Sequence, residues 1–221
     1  MERILSLASW AIPDHGGDLP AAQARARAVR QAIFAAAIPL VLDRGYDAIT
    51  VEEIADQAGV SRRTVFRYFP TKADIILDWA ATEGAGLCIS LAAQAADRPL
   101  LHRLRAALAD LVACHRAEAQ MHLAMGQLSA ANPALRARAY EKFEIWEDML
   151  CAQVARDHGR ADASEDERLT VALFMTVYRQ AIRQWVIGNG SQSIEALLDA
   201  AFARVPDLLD KEAMTGTSSP M

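Results

Sequence analysis

Residues 50–72 read TVEEIADQAGVSRRTVFRYFPTK, and the spacing within this stretch decides the fold. Thr50 and Glu53 form a capping box, in which hydroxyl and carboxylate each accept an amide left orphaned at a helix start. Ala55 is small where two helices must approach closely, and Gly59, four positions later, tolerates the positive φ of a sharp turn. Ser61 caps the next helix, which stops before Pro70, and Thr71 caps another, with Asp74 in its first turn. Ile54, Ala58, Val60, Val65 and Phe69 supply an apolar lock beneath the pair. The outward face of the second helix carries Arg62, Arg63, Thr64, Arg67 and Tyr68. Arginine forks match the acceptor edge of guanine, and threonine and tyrosine hydroxyls reach bases or phosphates. The pattern predicts a helix-turn-helix that binds double-stranded DNA. One Ala–Gly pair would be weak grounds; spacing, caps and a basic outer face together are specific.

Upstream, Arg25, Arg27 and Arg30 add positive charge on a helix expected from Ala24 to Arg44, ending at Gly45. Ile33, Ala37, Leu40 and Val41 fall on one face of it, and Pro39 removes one of its hydrogen bonds. Residues 1–22, broken by Pro13, Gly16, Gly17 and Pro20, read as a loose arm. Downstream the helical period persists. A long fourth helix is expected from Lys72 toward Leu91, then one from Asp97-Pro99 that bends toward Ala131, and one from Asn132-Pro133 to His158. Ser164 and Glu167 make a second capping box, opening a helix that reaches Gly188, and the last helix spans Ser193 to Leu209. Residues 211–221 read as a disordered tail. The whole is an all-α chain of about nine helices, with a DNA-binding domain over 23–71 and a helical ligand-binding and dimerisation domain over 72–210.

Composition agrees. Hydrophobic residues make up 52% and charged residues 23% of the 221, which excludes wholesale disorder. The net charge of −5 excludes a protein coated with phosphate-binding side chains, so the nucleic-acid surface is local. Residues 1–72 hold nine Lys/Arg against eight Asp/Glu, and the remainder fourteen against twenty. No apolar run approaches the ~18 residues that cross a bilayer, and no signal-peptide layout is present, so a cytoplasmic protein without membrane contact is expected. Cys88, Cys114 and Cys151 are widely spaced and read as small core residues.

The order Gly45-Tyr46-Asp47-Ala48-Ile49-Thr50-Val51-Glu52-Glu53-Ile54-Ala55, then Ala58-Gly59-Val60-Ser61, then Val65-Phe66-Arg67-Tyr68-Phe69-Pro70-Thr71-Lys72 resembles the N-terminal domain of TetR-family regulators. The resemblance covers roughly residues 28–78. It implies a homodimer whose variable C-terminal helices bind a small molecule that alters DNA binding. Carried over by position, Thr50 and Lys72 hold phosphates at two helix N-termini, and Arg62, Arg63, Thr64 and Arg67 face the major groove. With Arg27, Arg30, Ser61 and Tyr68 these make the expected DNA-binding set. Phe66 replaces the family's usual tyrosine, and Pro39 and Val41 also depart from its pattern. The last two helices resemble mycofactocin-regulator-like members, which implies acyl-CoA-type ligands.

The helix over 165–188 is apolar nearly all round and pairs with a striped final helix, which suits a four-helix dimer seam. Expected pocket residues are Met121, His122, Met125, Phe143, Trp146, Tyr178, Arg179 and Trp185, since methionines and aromatics adapt to bulky apolar ligands. No Gly-rich phosphate loop, H-E-x-x-H, G-x-S-x-G or Cys/His metal spacing occurs, so neither catalysis, cofactor nor metal is expected. The functional expectation is a repressor released from a palindromic operator by a small-molecule effector. The alternatives are an activator of the same family and a helical interaction module that uses the motif for packing alone.

Overall fold

The computed structural model describes residues 21–215, so the expected N-terminal arm lies outside the described residues apart from its last two positions. Ten α-helices and one short 3-10 turn occur among them, and no strand. They are α1 Ala21–Arg44, α2 Val51–Gln57, α3 Arg62–Tyr68, α4 Lys72–Ile76, α5 Asp78–Ala93, α6 Leu100–Cys114, the 3-10 turn Arg116–Glu118, α7 Ala119–Ala131, α8 Pro133–Asp157, α9 Glu165–Ile187 and α10 Ile194–Thr215. Among the described residues no helix is long and apolar enough to cross a membrane.

The caps form where their residue types place them. Thr50 Oγ1 accepts from Glu53 N at 3.2 Å while Glu53 Oε2 accepts from Thr50 N at 2.8 Å. Thr71 and Ser164 form the same reciprocal box with Asp74 and Glu167, whereas Ser61 and Asn132 only accept first-turn amides on their side chains. Gly45 and Gly59 take φ of +83° and +67°, the left-handed conformation that ends α1 and turns α2 toward α3. α1 continues through Pro39, whose side of the helix is exposed, and buries Ile33, Phe34, Ala37, Ile38 and Val41 on the other.

The expected long fourth helix is two helices. Leu77 (φ −98°, ψ 15°) separates α4 from α5, although no glycine or proline marks the break. Packing explains it: Ile75, Ile76 and Leu77 are consecutive and all fully buried, which one face of an unbroken helix cannot supply. The segment expected to bend toward Ala131 is likewise divided, by the 3-10 turn. α10 extends to Thr215, past the expected end at Leu209, and residues 216–221 lie outside the described residues.

Two apolar clusters result. One lies under the helix-turn-helix and takes in Ile33, Ile54, Val65, Phe69 and Ile75, closed by Met121, Met125 and Leu135 from α7 and α8. The other joins α5, α6, α8, α9 and α10 around Leu87, Leu104, Trp146, Phe174 and Phe202. The expected domain boundary at residue 72 falls inside the first cluster. Charge reinforces this join: Asp74 Oδ1 accepts from Arg138 Nε of α8 at 2.9 Å, and Lys142 stands 3.6 Å away. Burial raises the Asp74 carboxyl, but the Thr71 and Arg138 hydrogen bonds and the two cations outweigh it, leaving its pKa below the ordinary value.

Candidate functional site

The face of α3 is set by its packing. Val65 is fully buried against α1 and α2, which turns Arg62, Arg63, Phe66 and Arg67 outward. Arg63 is exposed, and among the described residues no side chain partners its guanidinium. Arg62 reaches back to Glu52 Oε1 at 2.8 Å and lies over the Phe66 ring. Arg67 lies over Tyr68 and donates to its hydroxyl at 3.3 Å. Thr64 Oγ1 sits 2.9 Å from Ser61 Oγ, so both hydroxyls are tied to the cap of α3. Phe66 is 42% exposed, an apolar ring on the otherwise polar face.

Two expected DNA contacts have internal partners. Lys72 Nζ donates to the carbonyls of Tyr46 and Ile49 at 2.7 and 2.8 Å and lies over the Tyr46 ring, so it fastens the loop before α2 onto α4. Arg30 Nε donates to both carboxylate oxygens of Asp78, at 2.9 and 3.2 Å, and its guanidinium covers Phe69. Burial raises the Asp78 carboxyl above its ordinary pKa against the opposing pull of Arg30. Arg27 stands one turn before Arg30 on α1 and is half-buried.

Behind this head the body encloses a cavity of about 600 Å³, a volume suited to a drug-sized molecule. Its walls come from α5, α6, α7, α8, α9 and the start of α10. Of the eight residues expected at a pocket, His122, Phe143, Tyr178 and Trp185 line this cavity. The other four expected residues do not. Met121 and Met125 belong to the cluster under the helix-turn-helix, on the neighbouring face of α7. Trp146 stands behind the wall, stacked on Tyr178 at 5.8 Å, with its Nε1 donating to the Ala80 carbonyl. Arg179 is ion-paired with Glu147 at 2.7 Å.

Sequence reading missed Trp79, Glu83 and His115. Glu83 is 6% exposed; its Oε1 lies 3.3 Å from His122 Nε2 and 4.0 Å from His115 Nδ1. Burial pushes the Glu83 pKa up to about 8. Burial and the neighbouring His115 push His122 down to about 4, and burial lowers His115 against the opposing charge of Glu118. The two imidazoles meet edge-to-face at 5.6 Å, and Trp79 lies 5.6 Å from His122. The buried Nε1 of Trp79 has no hydrogen-bond partner among the described residues. Burial and Glu83 hold the Tyr178 phenol well above its ordinary pKa. At the rim Arg116 pairs with Glu195 at 3.1 Å. No group of three or more His, Cys, Asp or Glu among the described residues is arranged to hold a metal ion. Cys88 and Cys151 are buried, and burial pushes the Cys88 thiol up to about 11 and raises that of Cys151; Cys114, expected in the core, is exposed.

Comparison with known proteins bears on both halves. The family model for bacterial regulatory proteins of the tetR family matches residues 33–78, and that for the MftR C-terminal domain matches residues 98–210. The HTH-type transcriptional regulator TcmR of Streptomyces glaucescens is 30% identical over 206 residues, 90% of each chain. Among solved structures, the chain resembles the Thermus thermophilus repressor FadR in complex with lauroyl-CoA (TM-score 0.52, 24% identity, 79% of this chain and 92% of that one). It also resembles FadR of Bacillus subtilis in complex with stearoyl-CoA (TM-score 0.50, 21% identity, 78% and 95%). At these identities the two structures speak for the fold alone.

Proposed function

The chain belongs to the TetR family of bacterial transcriptional regulators, and on that premise we propose that it is a cytoplasmic, non-catalytic, homodimeric repressor, released from a palindromic operator when a small molecule fills its cavity. The position of α5 carries this reading. Trp79 packs against both apolar clusters and also lines the cavity, and Asp78 beside it holds Arg30 of α1. A ligand that touches Trp79 therefore acts on a helix whose near end is fixed to the DNA-binding head. α7 offers a second path, since Met121 and Met125 pack under the head while the adjacent His122 and Leu123 line the cavity. Differential binding to two spacings of the heads, with a coupling of about 1–3 kcal/mol, suffices for induction.

In this reading Arg63, Thr64 and Arg67 meet base edges, with Arg62 swinging from Glu52 to join them. Thr50, Ser61 and Tyr68 take phosphates from the exposed ends of α2 and α3. Lys72 and Arg30 shape the interface from behind. Exposed Leu169, Leu173 and Ile187 on α9 and Leu208 on α10 supply an apolar seam for a second copy. Two heads then read half-sites roughly 34–36 Å apart. Selection of bound DNA from a random pool, followed by footprinting, tests the proposal. A symmetric footprint and a dimer by light scattering are expected; a single asymmetric half-site, or a monomer at micromolar concentration, overturns it.

A further inference from the structure

The chemistry of the cavity narrows the class of molecule it takes, an inference that rests on the cavity being the effector site. Its wall is largely aromatic and aliphatic, with one carboxyl, Glu83, buried in it. The ionisable groups that approach Glu83 are His115 of α6, His122 of α7 and Tyr178 of α9, and Glu118 of the 3-10 turn acts on His115. Among the described residues no lysine or arginine pairs with Glu83. Among the described residues Arg116 is the one cationic residue of the lining apart from the histidines; it is 74% exposed and held by Glu195. An anion entering here meets the Glu195 carboxylate, the Glu83 carboxyl group and, among the described residues, no free guanidinium, so the acyl-CoA-type ligand that the sequence resemblance implied lacks a counter-charge on this wall.

We propose that the cavity takes an organic cation with a bulky aromatic body, its charge neutralised by Glu83 and its surface covered by Trp79, Phe143, Tyr178 and Trp185. A carboxylate among electron-rich rings is the environment that favours a poorly hydrated cation over a neutral molecule of the same shape. In the free protein Glu83 keeps its proton near neutrality, because burial disfavours its charge and the ionisable groups beside it, His115, His122 and Tyr178, are uncharged there. The arriving cation replaces that proton, which leaves to solvent, and the charge of the cavity stays at zero. Binding therefore releases one proton, and affinity rises with pH, approaching tenfold per unit, until Glu83 ionises unaided at about 8. His122, with its pKa near 4, stays neutral above pH 6.5 and adds no proton of its own there.

Calorimetry on the full chain near neutral pH tests this with probes of similar shape and different charge: tetraphenylphosphonium, triphenylphosphine oxide and tetraphenylborate, with lauroyl-CoA as the anionic thioester. Tetraphenylphosphonium is expected to bind at least about tenfold more tightly than the neutral oxide, with both anions weaker still. Titrations in two buffers of different ionisation enthalpy should show close to one proton released per cation. Glu83→Gln, which mimics the protonated acid, should bring the cation down to the oxide. The proton count on the unmodified protein decides the matter even if that variant folds poorly. Binding indifferent to charge, a preference for lauroyl-CoA, or no proton release overturns the cation class and leaves the cavity as effector site. If no probe of any charge binds, both readings fail.

Discussion

Individual side chains divide sharply between those left free on the exposed face of α3 and those that hold the head together. Arg63 has no partner among the described residues, whereas the Arg30 guanidinium is matched to a buried carboxylate. Arg63→Ala should therefore weaken operator binding by about 1–3 kcal/mol while the melting temperature stays put. Arg30→Ala should lower stability by about 1–2 kcal/mol, because Asp78 stays buried without its donor. Affinity and melting measured on both variants separate the roles; an Arg30→Ala protein that melts normally yet loses DNA would reverse the assignment.

Glu83 gives a residue-scale signature in the pH dependence of stability. Its folded pKa is about 8 against an ordinary 4.5, so its contribution is complete below 4.5 and is lost as pH rises toward 8. His122 runs the other way: depressed from 6.5 to about 4, it contributes above 6.5 and loses that contribution as pH falls. The two slopes oppose one another between 4.5 and 6.5, and only Glu83 acts from 6.5 to 8. The melting temperature of the unmodified protein should fall across that upper window relative to Glu83→Gln, and parallel curves for the two would falsify the burial of an ionisable acid there. None of this was legible in the sequence. Thr50, Gly59 and Ser61 announce their roles because caps and turns are settled by near neighbours, whereas Glu83 acquires meaning from His115 and His122, which reach it from other helices.

At the scale of helices, sequence reading succeeded where one period governed and failed where two faces competed. The boundaries of α2, α3, α8 and α9 lie where capping residues place them. On α7 the apolar pattern alone does not say which face meets the head and which meets the cavity. Successive residues stand ~100° apart on a helix, so Met121 and His122 point to different neighbours. Two of the expected cavity residues were misplaced by that one-residue phase. The break at Leu77 was hidden for a related reason, since it answers to packing on both sides and not to any local breaker. The close crossing of α5 and α8 is also invisible in one dimension. A Cβ on Gly84 would stand 2.5 Å from Nε1 of Trp146, whose ring is fully buried. Gly84→Ala should cost about 1–3 kcal/mol of stability, even though alanine favours helix, and should shift the tryptophan fluorescence. A neutral or stabilising outcome would mean that the two helices part freely.

For the molecule as a whole, the question is what a second copy adds. One head offers a single short helix, α3, and the few base edges that a helix of this length can reach limit what one half-site can hold. Joining two heads makes the second contact intramolecular, which raises apparent affinity by about 10²–10⁴-fold without any new kind of interaction. Leu169 and Leu173 lie one turn apart on α9, 69% and 36% exposed, far more water contact than apolar side chains of a finished core would keep. The paired substitution Leu169→Asp and Leu173→Asp removes apolar seam and adds like charges that face each other across a two-fold axis. Because both positions sit outside the two buried clusters, the monomer fold and the cavity should persist. The variant is expected to run as a monomer by light scattering, to keep its helical circular dichroism, and to lose operator affinity by about two orders of magnitude or more. Its affinity for an isolated half-site should be unchanged. A variant that stays dimeric would move the seam away from α9, and a monomer that still holds the full operator tightly would remove the need for two-fold recognition.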